Sequence, residues 1–172
     1  MSRDDAFTTD TGEALRFLGF QATEVDSTLT TGQRKVEDFH IQDEQSGCFC
    51  IGEAKTTGNG RGASEDFISK VQTHQTRYAR TQKQEPPPAL LIVNYAIDLD
   101  PAMRAGRFYQ PALSERLSDN EISAIDSYSL FQLCQFVLEQ EITCEQARKF
   151  IMRGQPRVVD LALEEVMKAI SD

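Results

Sequence analysis

The sequence predicts an α/β domain whose mixed β-sheet of four to five strands is flanked by helices and followed by a helical C-terminal end. Two segments of strand-like composition, 35–41 and 48–55, are separated by a short polar stretch that is typical of a hairpin loop. A helical pattern at 64–84 is followed by a nearly continuous apolar run at 89–96, which is typical of a buried central strand. This order of strands and helix indicates a layered α/β domain with a crossover helix.

The length and composition are those of one globular domain. The 172 residues are 40% hydrophobic and 26% charged, so we expect a single domain over 1–172, with its core at about 10–135 and a helical extension at about 136–172. The sequence contains no run of about 18 apolar residues, so no membrane span is predicted. The polar N-terminus lacks the apolar core of a secretory signal. We therefore expect a cytoplasmic protein without a membrane partner. The four cysteines lack zinc-site spacing and are expected to be free thiols.

The first predicted helix is short and begins at Asp10. Glu13 follows at the spacing of a capping box, and Gly19 is placed to end the helix. A strand is predicted at 20–25 and a polar loop at 27–34.

The central helix is predicted to begin near Ser64, a favourable N-cap residue, and to end before a triple proline. The glycine-rich segment 56–62 lacks the ending of a phosphate-binding loop. It is predicted to be either a loop that follows a nucleic-acid backbone or a plain connector. Segment 98–120 is expected to be loop-like with one helical turn, and 122–126 to be a short strand.

The remaining segment is predicted to be helical. Ser129 is the expected N-cap of one helix. Thr143 and Gln146 have the spacing of a capping box that opens the next helix. A last helix is predicted at about 160–170.

The charges are unevenly distributed along the chain. The formal net charge of −9 argues against general nucleic-acid binding. However, residues 37–53 carry five acidic and no basic side chains, whereas residues 54–83 carry six basic and two acidic ones. An acidic segment followed by a basic one suits a metal site beside a phosphate-binding surface. Two solvated faces of opposite charge are the alternative interpretation.

Three charged residues of the predicted hairpin, Asp38, Glu53 and Lys55, are the candidates for chemistry. Because side chains alternate across a strand, Glu53 and Lys55 point to the same face. If Ile41 pairs with Cys48, Asp38 shares this face and lies diagonally to Glu53, roughly 7–8 Å away at the backbone. This register is an assumption, and a slip of one residue would turn Asp38 to the other face.

Two carboxylates and an ammonium group on one face suit the hydrolysis of a phosphodiester. Carboxylate oxygens bind Mg²⁺ or Mn²⁺, and such an ion lowers the pKa of bound water and polarises the phosphoryl oxygen. The lysine holds the attacking water or stabilises the charged transition state. The alternative is an ion pair of Glu53 with Lys55 on an edge strand, worth well under about 1 kcal/mol.

Asp38, followed after 14 residues by Glu53-Ala54-Lys55, resembles the signature of the restriction-endonuclease-like, or PD-(D/E)XK, nuclease superfamily. The order of hairpin, helix and buried strand is similar to that family over about residues 10–135. Glu13 and the stretch Leu18-Gly19-Phe20 are similar to the first helix of its Mrr-like and Holliday-junction-resolvase-like branches. Glu37 stands where the family commonly has proline.

The resemblance implies roles for individual residues. Asp38 and Glu53 would be metal ligands, and Lys55 would be the catalytic lysine. Glu13 would be a further acidic ligand, and Gln75 a polar catalytic residue on the central helix. From the residues alone, Glu13 is more readily a capping-box residue and Gln75 a satisfied buried amide.

The basic segment supplies the expected nucleic-acid contacts. These are Arg61, Lys70, Arg77 and Arg80. The resemblance implies Mg²⁺ or Mn²⁺ as the cofactor and DNA as the substrate, with RNA as the alternative. It also implies a homodimer in which two sites cut two strands.

Two functions are the resulting hypotheses. The first is a metal-dependent nuclease that hydrolyses DNA phosphodiester bonds in restriction, phage defence or DNA repair. The second is a catalytically inactive module with the nuclease fold, serving nucleic-acid binding or protein assembly. Residues 112–172, with 11 acidic and 6 basic side chains, are the expected surface for a protein partner.

Overall fold

The computed structural model describes residues 3–25, 37–58, 64–95, 111–152 and 158–159. Within these ranges the elements follow one another as α1 (Arg3–Phe17), β1 (Gln21–Glu24), β2 (Phe39–Gln42), β3 (Phe49–Thr56), α2 (Glu65–Gln82), β4 (Ala89–Asn94), α3 (Pro111–Asp119), β5 (Ile122–Asp126), α4 (Ser127–Leu138), α5 (Cys144–Met152) and β6 (Val158–Val159). None of these helices combines the length and the apolar composition needed to cross a lipid bilayer.

The described strands form one mixed sheet in the order β1-β2-β3-β4-β5-β6. Strands β1, β2 and β3 are antiparallel, whereas β3, β4, β5 and β6 run parallel. This confirms the predicted α/β architecture with a mixed sheet. The sixth strand has only two residues, too few to show an alternating pattern in the sequence. The predicted loop at 27–34 and the predicted helix at 160–170 lie outside the described residues.

Hydrophobic cores cover both faces of the sheet. Helices α1, α4 and α5 cover one face, in a core that includes Leu15, Ala54 and Leu133. Helices α2 and α3 cover the other face, in a core that includes Ile68 and Leu117. Because side chains alternate along a strand, the position of Ala54 in the first core directs both of its neighbours in β3 to the face of α2.

Helix α2 is the crossover that joins the parallel strands β3 and β4. Its N-cap is Ser64, as predicted, and the carbonyl oxygen of Ser64 accepts hydrogen bonds from the amides of Phe67 and Ile68. This crossover places the basic helix α2 directly over the face of β3 to which Glu53 and Lys55 point.

Helix α1 begins earlier than predicted, at Arg3. Phe7, Thr11 and Leu15 are buried at a spacing of four residues, so the buried stripe begins about one turn before the predicted start. Asp10 therefore lies inside the helix, and the predicted capping box of Asp10 and Glu13 is wrong.

Helix α3 replaces the last part of the loop predicted at 98–120, of which residues 98–110 lie outside the described ranges. Leu113 and Leu117 are one turn apart and both buried, which anchors this short helix to the sheet. The N-cap of α4 also differs from the prediction: it is Asp126, whose Oδ1 accepts from the amide of Ser129 at 2.8 Å. Helix α3 was not predicted because a single pair of apolar residues, Leu113 and Leu117, is too weak a pattern to indicate a helix.

The capping box of α5 is confirmed. The Thr143 amide donates to Gln146 Oε1 at 2.8 Å, and the Gln146 amide donates to Thr143 Oγ1 at 3.2 Å. These reciprocal bonds satisfy two amides that the first turn of a helix leaves free.

A buried arginine ties α5 to the hairpin and to the end of α1. The Arg148 guanidinium donates to Asp43 Oδ1 at 3.0 Å, to Gln45 Oε1 at 2.8 Å and to the Leu18 carbonyl at 3.0 Å. Gly19, which follows α1 as predicted, has a φ of 89°, and a Cβ there would collide with the guanidinium. This network fixes the loop from which β3 starts.

Candidate active site

Asp38 and Glu53 stand opposite each other on neighbouring strands. Strands β2 and β3 pair with Ile41 opposite Cys50, so the assumed pairing of Ile41 with Cys48 is wrong by two residues. Because an even shift keeps every side chain on its face, the expected common face survives. Continued by one residue beyond β2, the same register puts Asp38 directly across from Glu53 instead of diagonal to it.

The carboxylate of Asp38 is held at the edge of the sheet. Its Oδ2 accepts a hydrogen bond from the amide of Ala54 at 2.8 Å. Burial and the neighbouring charge of Glu53 raise the pKa of Asp38, and the attraction of Lys55 opposes this rise. Burial is the larger cause of this rise, and the neighbouring negative charge of Glu53 adds to it, so positive charge next to Asp38 stabilises its ionised form.

Glu53 is the most enclosed charge of the site, with 2% of its side chain exposed. Its Oε2 lies 3.0 Å from Nδ1 of His74, and its Oε1 lies 2.6 Å from Nζ of Lys70 and in contact with Nζ of Lys55. Burial alone would raise the pKa of Glu53, but these three partners outweigh it and lower the pKa to about 2. Glu53 is therefore ionised at neutral pH, and His74 Nδ1 carries the proton that it donates.

Lys55 links the two carboxylates. Its Nζ contacts Glu53 Oε1, lies 3.6 Å from Asp38 Oδ2 and donates to the carbonyl of Ala54 at 2.9 Å. One ammonium group thus touches both acidic side chains. The sequence-based set of Asp38, Glu53 and Lys55 is brought together on one face.

Two further residues of this cluster, Lys70 and His74, come from α2. They are one helical turn apart, so both point to the same side of the helix. From the sequence, Lys70 was expected to contact nucleic acid, and no role at the site was predicted for His74. The sequence feature that could have identified Lys70 and His74 was the charge of Glu53. A carboxylate on a strand that a helix covers requires partners from that helix.

A second buried acid, Glu37, lies next to the cluster. Its Oε1 is 2.9 Å from Nε2 of His40, whose ring makes edge contacts with Phe49 and Tyr78. Burial would raise the pKa of Glu37, but the His40 hydrogen bond and the attraction of His74 lower it. Glu37 is thus the hydrogen-bond partner that orients the half-buried ring of His40.

Two of the implied catalytic residues do not join this cluster. Glu13 is exposed on α1, which packs on the sheet face opposite to α2. Gln75 is buried, and its Nε2 donates to the carbonyls of Pro87 at 2.9 Å and Asn120 at 3.0 Å. Gln75 is therefore the satisfied buried amide that the residues alone suggested, because its amide group is committed to these two carbonyls.

The basic residues expected to contact nucleic acid lie mostly on α2. Lys70, Arg77 and Arg80, with Thr73 and His74, line a groove of about 770 Å³ along the helix. Arg80 is exposed and Arg77 is partly exposed. Arg61 lies outside the described residues. Lys70 and His74, which contact Glu53, both line this groove, so the groove adjoins the cluster.

The donor set of the cluster fits a hard divalent cation. Asp38 and Glu53 offer carboxylate oxygens, and both already touch one cationic group, Lys55 Nζ. Across the described ranges, no group of three or more His, Cys, Asp and Glu side chains is arranged to hold a metal ion. Mg²⁺ keeps several waters and commonly uses only one or two carboxylates, so a pair of acids is sufficient.

Comparison with known proteins identifies the fold. No protein-family model and no curated protein sequence matches this chain. Among solved structures, the restriction endonuclease FokI bound to DNA matches with a TM-score of 0.57, and a second FokI structure matches with a TM-score of 0.55. In both comparisons the identity is 12%, and the match covers 92% of this chain but 28% of the FokI chain. The chain therefore has the restriction-endonuclease-like fold over nearly its whole length.

Proposed function

We propose that this chain is a metal-dependent nuclease that hydrolyses DNA phosphodiester bonds in restriction, phage defence or DNA repair. The observation that carries the proposal is the contact of one ammonium group, that of Lys55, with the carboxylates of both Asp38 and Glu53. Two acids and a lysine that meet at one point suit phosphodiester hydrolysis. An ordinary surface ion pair is a poorer explanation, because Glu53 is almost completely buried and burying a charge is costly.

Each side chain has a defined task in this proposal. Asp38 and Glu53 would hold Mg²⁺ or Mn²⁺, which when bound acidifies a water molecule and neutralises charge on the phosphoryl group. Lys55 would hold the attacking water or stabilise the additional negative charge of the transition state. The water oxygen bonds to phosphorus as the bond to the leaving sugar oxygen breaks, and no covalent enzyme intermediate forms.

DNA is the substrate that the charges and the fold support. The groove lined by Lys70, Arg77 and Arg80 offers positive charge beside the acidic pair. FokI, 28% of whose chain matches the fold of this one, has been solved bound to DNA. The alternative substrate RNA, a homodimeric assembly and the Mrr-like or Holliday-junction-resolvase-like branch stay predictions from the sequence.

The direct test is cleavage of plasmid DNA in Mg²⁺ by the wild type and by Lys55→Ala. We expect the rate to fall by roughly 10²-fold or more, because a preorganised charge at the reacting group is lost. Lys149→Met is the matched control, because Lys149 is exposed on α5 and its ion-pair partner within the described ranges is its neighbour Glu145. Unchanged cleavage by a folded Lys55→Ala protein would remove the proposal.

An inactive module with the nuclease fold is the second candidate. The observation that favours it is the balance of charge, since Lys55 and Lys70 neutralise the two carboxylates without any metal ion. Calorimetry with Mn²⁺ separates the two functions. Binding that disappears in Asp38→Asn supports the nuclease, whereas absence of binding by the wild type, even with DNA present, supports the module.

A further inference from the structure

We propose that Lys70 is a displaceable cation of the site: it occupies Glu53 Oε1 until a divalent ion binds there, and then turns to a phosphate in the groove of α2. Metal binding and nucleic-acid binding would thereby strengthen each other. This inference rests on the proposed function, because it takes Asp38 and Glu53 as the residues that hold the ion.

The two oxygens of Glu53 have different partners. Oε2 is engaged by the buried ring of His74, which is only 5% exposed. Oε1 is the oxygen that cations contact, and it carries both Lys70, at 2.6 Å, and Lys55. A divalent ion shared by Glu53 and Asp38 therefore competes with an ammonium group for Oε1.

Lys70 is the ammonium group that is free to leave. Lys55 is held by Glu53, Asp38 and the carbonyl of Ala54, and 18% of its side chain is exposed. The side chain of Lys70 is 36% exposed. Its flexible stem can carry the ammonium group away from Oε1 while the strand and helix stay in place.

The charges decide in which direction Lys70 moves. With Lys55 and Lys70 present, the two carboxylates are already neutralised. Two added positive charges would repel both ammonium groups, and the one that is less firmly held responds. The side chain of Lys70 lines the same groove as Arg77 and Arg80. A phosphate in that groove would stabilise the ammonium group of Lys70 after it has left Glu53 Oε1.

This displacement couples two binding events. A phosphate that captures Lys70 removes a competitor for Oε1, so DNA should raise the affinity for the ion. By thermodynamic linkage, the ion must raise the affinity for DNA by the same factor. Removing the charge of Lys70 should tighten metal binding and abolish this part of the coupling.

The test is calorimetric titration of Mn²⁺ into the whole chain without DNA. Lys70→Met keeps the aliphatic stem and should bind Mn²⁺ roughly tenfold more tightly than the wild type, since one charged contact no longer competes. Lys70→Arg keeps the charge and should bind no more tightly than the wild type. Lys83→Met, at the C-cap of α2 and about 20 Å along the helix axis from Lys70, is the control for a removed positive charge and should change the affinity by less than about twofold.

The coupling is measured in the Lys55→Ala background, in which we expect little cleavage and in which Lys70 still contacts Glu53 Oε1. A short DNA duplex should tighten Mn²⁺ binding in Lys55→Ala and should do so less in the double variant that also carries Lys70→Met. Equal or weaker Mn²⁺ binding by folded Lys70→Met, compared with the wild type, would overturn the inference and leave the proposed function standing. Absence of Mn²⁺ binding in every variant would overturn both.

Discussion

The ring of His74 holds the carboxylate of Glu53 from the helix that crosses above it, with 3.0 Å between Nδ1 and Oε2. Both side chains are buried, so this hydrogen bond is protected from water. It fixes the orientation of the carboxylate and leaves Oε1 for cations. The precision of the site therefore depends on how α2 packs on β3.

Replacement of His74 tests this positioning role. His74→Leu should cost about 1–3 kcal/mol of stability, because it leaves a buried carboxylate oxygen without its donor. His74→Asn places an amide donor near the position of Nδ1 and should recover much of this loss. Urea denaturation measures both, and Mn²⁺ calorimetry should show weaker binding in His74→Leu than in His74→Asn. Equal effects of the two variants would contradict a role for the hydrogen bond.

The stability of the metal-free protein should depend on the ionisation of Glu53. Its pKa is lowered from the ordinary 4.5 to about 2, so its contribution is fully present above pH 4.5 and is lost as the pH falls to about 2. The difference in unfolding free energy between the wild type and Glu53→Gln should be a few kcal/mol at pH 6 and should shrink through this window.

Asp38 provides the opposite control in the same measurement. Because its pKa is raised, its ionised form costs stability at neutral pH, and protonation relieves that cost. Asp38→Asn should therefore leave the metal-free protein as stable as the wild type or more stable at pH 6. A loss similar to that of Glu53→Gln would show that the carboxylates are not coupled as described.

The buried network of Arg148 should make a large contribution to stability. Its Nε pairs with Asp43 at 3.0 Å, and both side chains are less than one-tenth exposed. Arg148→Met leaves the Asp43 carboxylate without its cation and should cost about 3–5 kcal/mol in urea denaturation. Lys149→Met removes an exposed charge from the next position and should cost less than about 1 kcal/mol.

Arg80 tests the groove of α2 as a phosphate-binding surface. Arg80→Gln should weaken DNA binding for all sequences alike and reduce the slope of log K against log salt by about 1. Fluorescence anisotropy over a range of salt concentrations measures both quantities. Lys149→Met, on the other side of the sheet, should leave the slope unchanged. If both variants lower the slope equally, DNA does not bind in the groove.

The strands and the common face of the acids were predictable because strand patterns have a period of two. The predicted hairpin register was wrong by two residues, yet Asp38 and Glu53 still share a face, since an even shift preserves it. The capping box of Thr143 and Gln146 was predictable because its interactions are local. Such features depend only on neighbours in the sequence.

The contacts of Lys70 and His74 with Glu53, and the partners of the buried Gln75 amide, were not predictable in the same way. Hydrophobic periodicity counts apolar positions, so it cannot distinguish a buried histidine from an exposed one. His74 is buried because Glu53 lies beneath it, and Gln75 is buried because it binds the carbonyls that precede β4 and β5. These contacts depend on the rotation of α2 over the sheet, which tertiary packing determines.

A crystal structure of the wild type soaked in Mn²⁺ tests most directly whether Asp38 and Glu53 share one ion. The account predicts an anomalous peak within about 2.0–2.3 Å of an oxygen of each carboxylate, with Nζ of Lys70 moved away from Oε1. An empty position between the two carboxylates at saturating Mn²⁺, with Lys55 and Lys70 still on Glu53, would contradict it.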